Sequence, residues 1–237
     1  MKVVLFLCAV LVVLTRGEII DDIFDLPEHV LAAIPLTQDA ASPIHCNDIA
    51  MNNCQYRFDA AIGIPTTYNW KSGGAFLEAV ITKLDASSIP GFLKICRARR
   101  EFYNCLGDQY STCVNTYHLI SEMTGTDNIK DAYRYVALYA ELDFICNGGL
   151  DIAIAKWKGL SGLDRSPFSS ECHDAFDASM ATNPSNMCMY ADQYAKCLQV
   201  IYNNHASLAD GWWVCERTRS GFAKYCSSNT CQLTSQP

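Results

Sequence analysis

Thirteen cysteines are spread along the 237 residues of this chain, and no other feature restricts its fold so strongly. Cys8 sits in an unbroken apolar run from Val3 to Leu14 that follows Lys2, with the small residues Thr15 and Gly17 where a signal peptidase reads. Residues 1–17 are therefore expected to be a signal peptide cleaved after Gly17. Cys8 leaves with it, and twelve remain: Cys46, Cys54, Cys96, Cys105, Cys113, Cys146, Cys172, Cys188, Cys197, Cys215, Cys226 and Cys231. An even set of this size in an exported chain reads as six disulfides. Zinc ligation would need close pairs such as C-x2-C, whereas the shortest gap here runs from Cys226 to Cys231.

Half of the residues are hydrophobic and 18% are charged, enough apolar surface for a packed core. The leading apolar run is nearer a dozen residues than the roughly 20 that cross a bilayer, and no later stretch competes with it, so no transmembrane segment is expected. Of the 18 basic residues, Lys2 and Arg16 lie in the leader; the remaining 16 face 25 acidic residues, a formal charge of −9 with histidine neutral. That balance argues against nucleic acid and against anionic membranes as partners. The expected protein is secreted and extracellular.

Periodicity points to helices. The positions Ile95, Phe102, Leu106, Tyr110, Cys113, Tyr117 and Ile120 keep to one face of a long helix, as do Met187, Tyr190, Tyr194, Leu198, Ile201, His205 and Leu208. Ala132, Val136, Tyr139, Leu142 and Cys146 form a third, with Asp127 as its expected cap and Asn147-Gly148-Gly149 as a left-handed stop. Shorter helices are expected over Pro43 to Phe58, Gly74 to Ala86 and Trp212 to Tyr225. The stretch Ile62 to Trp70 comes closest to a strand, but it carries Pro65. The fold class is therefore all-α and disulfide-rich, built either as one composite domain or as two similar helical halves.

The halves are suggested by Cys96-x8-Cys105-Leu106 and Cys188-x8-Cys197-Leu198, with Cys46 and Cys172 as equivalent openers and Cys146 and Cys215 as equivalent closers. The expected organisation is a signal peptide at 1–17, an acidic arm at 18–42, a first helical half at 43–157, a Gly/Ser-rich linker at 158–170 and a second half at 171–237. The arm interleaves Glu18, Asp21, Asp22, Asp25 and Glu28 with Ile19, Ile20, Ile23, Phe24 and Leu26; it is read first as a flexible, solubilising segment, with a propeptide or an amphipathic arm that docks on the domain or a partner as the alternatives. The signal peptide, the twelve cysteines and the helical spacing of Cys96, Cys105 and Cys113 resemble secreted all-helical cysteine-rich domains of unknown function from invertebrates, notably nematodes. That resemblance implies architecture and export, and no catalytic residue.

Among residues that carry chemistry, Cys172-His173-Asp174 is the sharpest enzymatic pattern. Secreted phospholipases A2 place a helical His-Asp beside disulfide cysteines, and a glycine-bearing loop, Cys146-Asn147-Gly148-Gly149, lies upstream here. The double cysteine before the histidine and the Tyr-Gly-Cys loop signature are missing, and a calcium site needs several converging oxygens. His29, His45, His118 and His205 are scattered one per segment; His205 falls in phase with a buried helix face and is expected as a hydrogen-bonded core residue or a helix-end cation. No Gly-x-Ser-x-Gly elbow, phosphate loop or cofactor motif occurs. Arg97-Ala98-Arg99-Arg100 has the form that secretory convertases cleave, although on a helix these guanidinium groups are expected on the solvated face. Trp212 and Trp213 are adjacent, so one is expected buried and the other partly exposed.

These features favour a secreted, disulfide-stabilised, non-catalytic binding or interaction protein that engages an extracellular protein or a small ligand, with no cofactor. The alternatives are a structural component of an extracellular matrix or secretion, and a phospholipase-like hydrolase centred on His173 and Asp174.

Overall fold

A computed structural model describes residues 24–36 and 44–232 of the chain. The expected signal peptide, with Cys8, lies outside them, as do both ends of the 18–42 arm. In chain order the helices are α1 (Glu28–Ala32), α2 (Asp48–Ile62), α3 (Gly73–Ala86), α4 (Ile89–Leu106), α5 (Tyr110–Cys113), α6 (Thr116–Ser121), α7 (Ile129–Cys146), α8 (Leu150–Asp164), α9 (Pro167–Thr182), α10 (Met187–His205) and α11 (Leu208–Gly221). The described residues contain no strand, so the all-α class holds. None of the described helices is long and apolar enough to cross a membrane.

Helix α7 is the axle. Tyr133, Tyr135, Val136, Leu138, Tyr139 and Leu142 are buried around its whole circumference, the pattern of a helix enclosed on all sides. It packs against α3, α4 and α6 on one side and α11 on the other. A single contiguous core follows, running from Phe24 through Phe58, Phe102 and Tyr139 to Trp213 and Phe222. The arm joins this core rather than trailing in solvent. Phe24 packs against Tyr133, Phe222 and Tyr225 at ring separations of 4.9, 5.4 and 5.8 Å, and Asp25 pairs with Lys130 at 2.8 Å. The alternation of acids with Phe24, Leu26, Val30 and Leu31 is thus an amphipathic docking pattern: for residues 24–36 the alternative of a docked arm holds and the flexible solubilising arm fails.

Helix boundaries depart from expectation where backbone geometry overrides periodicity. The helix expected over Ile95 to Ile120 stops at Gly107, whose φ of 54° is open to glycine, and resumes as α5 and then α6, the latter capped by the Asn115 side chain on Tyr117 N. The helix expected to reach Leu208 ends at His205, and Ser207 caps α11 by accepting from Asp210 N. Asn128, not Asp127, caps α7; the Asp127 carboxylate instead accepts from Thr124 N and Lys71. Neither Gly148 nor Gly149 is left-handed. Gly149 serves close approach: a Cβ there would lie 2.6 Å from Trp213 Nε1, which donates to Gly149 O at 2.9 Å. Trp213 is buried and Trp212 half-buried, as adjacency on a helix requires.

The expected linker is mostly helix. Ala153, Trp157, Leu160 and Asp164 form the buried stripe of α8 at steps of four, three and four, and Pro167 occupies the first turn of α9, where its missing N–H is harmless. Only Arg165 and Ser166 lie between the two helices.

All twelve described cysteines are bonded. The pairs are Cys46–Cys113, Cys54–Cys105, Cys96–Cys146, Cys172–Cys197, Cys188–Cys226 and Cys215–Cys231. The bonds redraw the expected equivalence. Cys54 on α2 meets Cys105 on α4 while Phe58 meets Phe102, so the helices run antiparallel. Cys172 on α9 meets Cys197 on α10 while Phe176 meets Tyr194 in the same way. By this clasp the counterpart of Cys172 is Cys54, not Cys46. By the Cys96 and Cys188 bonds the counterpart of Cys146 is Cys226, not Cys215.

Candidate functional site

Two concavities flank α8, the helix whose glycines had suggested a linker. One lobe, about 620 Å³, lies between α8 and the α10–α11 junction, over Gly159, Leu160, Gly162, Leu163 and Ala206. A second lobe, about 310 Å³, lies between α8 and the start of α4, against Ile89, Phe92, Ile154 and Trp157. Both volumes are of the order of small-molecule sites. Lys156 and Gly159, both exposed on the outer side of α8, line both lobes. Tertiary packing builds their walls: Trp157 is pinned by its ring contact with Phe92 at 5.5 Å and by donating to Asp85 at 2.8 Å. Tyr202 is held by donating to Leu160 O at 2.8 Å and by a short bond to Asp164, whose carboxylate also pairs with the buried Arg217.

Two lysines line the lobes, and one of them is paired. Lys156 Nζ bonds both carboxylate oxygens of Asp210 at 2.9 Å, and Asp210 is buried, so the first lobe's acid is neutralised in place. Lys158 lies exposed on the second lobe, with no ion pair among the described residues. His205 is exposed at the far end of the first lobe and stacks on Phe168 at 4.3 Å; of its two expected placements, core or helix end, it takes the second, closing α10. Ser166, His205 and Asp210 all line this lobe, but they form no relay. Ser166 Oγ is buried without a hydrogen bond, and the Asp210 carboxylate is held by Lys156 and Ser207.

A cleft of about 440 Å³ opens between α7 and α11, beside Tyr110, Phe144 and Lys224. Its other charges are satisfied internally, Asp143 by Arg99 at 2.7 Å and Arg219 by Glu216 at 2.6 Å. Arg99 is thereby removed from the basic run. It is buried and lies over the Tyr103 and Tyr110 rings, while Arg97 and Arg100 remain exposed. The expectation that the whole run faces solvent fails because Arg99 falls on the α7 side of α4.

His173 and Asp174 lie in the second turn of α9. The His173 ring faces Asp177, one turn on, at 3.7 Å; Asp174 is exposed, and His173 lines neither lobe. Adjacent helical residues diverge by about 100°, which separates the two side chains. Cys46, Asp48 and His118 come close enough together to hold a metal, but the Cys46 sulfur is bonded to Cys113 and offers no thiolate. What remains is a His118–Asp48 contact of 3.2 Å.

A separate polar cluster is sealed inside the first half. Tyr135 and Tyr139 both donate to Gln55 Oε1, at 2.7 and 2.8 Å, and Gln55 Nε2 donates to Asp59 Oδ1 at 2.7 Å. Burial pushes the Asp59 carboxyl up to about 7 against the lowering effect of Gln55. Sequence reasoning missed this cluster as well as the concavities beside α8. Gln55 and Asp59 sit in phase with Cys54 and Phe58, which was the available signal.

No family model, curated protein or solved structure matches this chain.

Proposed function

We propose that this chain is a secreted, non-catalytic binding protein, locked by six disulfides, whose site is the concavity between α8 and the α10–α11 junction and whose partner is a small ligand. The observation that carries this reading is the concavity of about 620 Å³ between α8 and the α10–α11 junction, where Leu160, Leu163 and Ala206 lie beside Gly159. The helices on both sides of it are covalently clasped. Rigid walls reduce the ordering entropy lost on binding. Export rests on residues 1–17 and on the six disulfides, which belong to an oxidising compartment.

The test uses the neutral fluorophore N-phenyl-1-naphthylamine on protein recovered from culture medium. The expected result is saturable, one-to-one binding that Gly159→Phe removes with the helical circular dichroism unchanged. Equal binding by wild type and variant would place the site elsewhere.

A further inference from the structure

We propose that the outer face of α4 binds a linear sulfated polysaccharide, its sulfates meeting a row of cations formed by Lys94, Arg97 and Arg100. This surface is distinct from the concavity beside α8 and shares with that reading only the export of the chain.

The row is what tertiary packing leaves of the basic run in the sequence. Arg99 turns inward to Asp143 at 2.7 Å, and Cys96 is bonded to Cys146 on α7. These two ties fix the inner side of α4 and turn the remaining cations outward. Lys94, Arg97 and Arg100 are exposed, and none of them has an ion pair among the described residues. Each stands three residues from the next, a step of about 4.5 Å along a helix and about 60° around it.

The chain as a whole carries −7, but that charge is unevenly placed. On α2 and α7, which flank α4, Asp48 faces His118 at 3.2 Å, Asp143 pairs with Arg99 and Asp131 accepts from Gly74 N, while Asp59 and Glu141 are buried. The one acid of α4 is Glu101. It lines a small recess together with Arg57 of α2, whose guanidinium lies 3.6 Å from Cys105 Sγ. A polyanion is thus repelled by much of this molecule and drawn to this face.

Geometry and side-chain chemistry narrow the class. Between Lys94 and Arg100 the cations wind about 120° around α4, a path that a flexible linear chain follows and that a flat bilayer meets along one line only. Arg97, Arg100 and Arg57 present planar forks that match a tetrahedral oxyanion, and they are more weakly hydrated than an ammonium, which suits sulfate esters. Sulfated polysaccharides are the linear polyanions that an exported protein meets. Ile89 and Leu93 are exposed nearer the start of α4, so anionic vesicles enter the experiment as the competing surface.

Protein recovered from culture medium is titrated calorimetrically with heparin, fully desulfated heparin, a single-stranded oligonucleotide, and vesicles of phosphatidylcholine and phosphatidylglycerol. Heparin is expected to bind tightest, about tenfold or more above its desulfated form, a difference of about 1.4 kcal/mol. With Arg57 joining the row, four cations displace counterions, and log affinity is expected to fall against log salt with a slope of about −3. The double variant Arg97→Gln, Arg100→Gln is expected to weaken heparin about tenfold and to halve that slope, with the helical circular dichroism unchanged. Lys94→Gln with Arg97→Gln is the second pair should the first fold poorly. Lys224→Gln, which removes an exposed cation beyond α11, is expected to leave affinity and slope unchanged. The proposal is overturned by no heparin binding, by equal binding of the desulfated chain, or by tighter binding of the oligonucleotide or the vesicles. Undiminished affinity in both double variants, or a loss in Lys224→Gln as large as theirs, overturns it too. Binding of N-phenyl-1-naphthylamine beside α8 is read separately, so either reading fails without the other.

Discussion

Asp59 is fully buried among Phe58, Tyr135 and Tyr139, and the lost hydration holds its carboxyl near 7 rather than the ordinary 3.8, although Gln55 donates to it. The tyrosine hydroxyls that share Gln55 are raised well above their usual range by the same burial and stay neutral. The folded state therefore binds the Asp59 proton more tightly than the unfolded chain does. Stability is highest below the unfolded value, falls as pH rises from about 4 to about 7, and then levels off, the total loss being about 4 kcal/mol. Denaturation at pH 4 and at pH 7.5 should show this fall in the wild type, and Asp59→Asn, which still accepts from Gln55, should flatten it. Equal wild-type stability at the two pH values would contradict the assignment. The sequence placed Asp59 in the helical phase of Cys54 and Phe58, but its ionisation depends on α3, α4 and α7 closing over it, and residue type carries no record of that closure.

At the scale of elements, α8 shows how the same residue type marks opposite things. Gly159 faces open space, whereas a Cβ at Gly211 on α11 would lie 2.0 Å from Asn203 Oδ1 and 2.7 Å from Gln199 O. Gly159→Ala should raise the urea midpoint, by about 1 kcal/mol in stability, while Gly211→Ala should lower it because α11 must shift off α10. Destabilisation by Gly159→Ala would show that the position is packed. The long apolar faces of α4, α7 and α10 were readable as helices because each repeats its apolar positions over several turns. Their ends were less readable, since Gly107, Asn128 and Ser207 act through single backbone angles or caps. In α8 and α9 the glycines and serines of 158–170 obscured a buried stripe of only four residues, Ala153, Trp157, Leu160 and Asp164.

At the scale of the molecule, the bonds and the core divide the chain differently. Three disulfides lie before Arg165 and three after Ser166, with none crossing, but the apolar core crosses freely from α7 to α11. A protease site inserted between Arg165 and Ser166 should therefore yield two chains that co-elute under native conditions and separate in denaturant without reductant. Separation under native conditions would show that the α7–α11 seam is not a core. The helical class and the count of six bridges were legible in the chain because periodicity and an even cysteine number are properties of composition and local order. Which cysteines pair, that Arg99 turns inward, that residues 24–36 dock, and that concavities flank α8 all depend on which faces meet across long separations. Packing settles those meetings, and the buried area and charge neutralisation that reward them exist only once the helices are assembled.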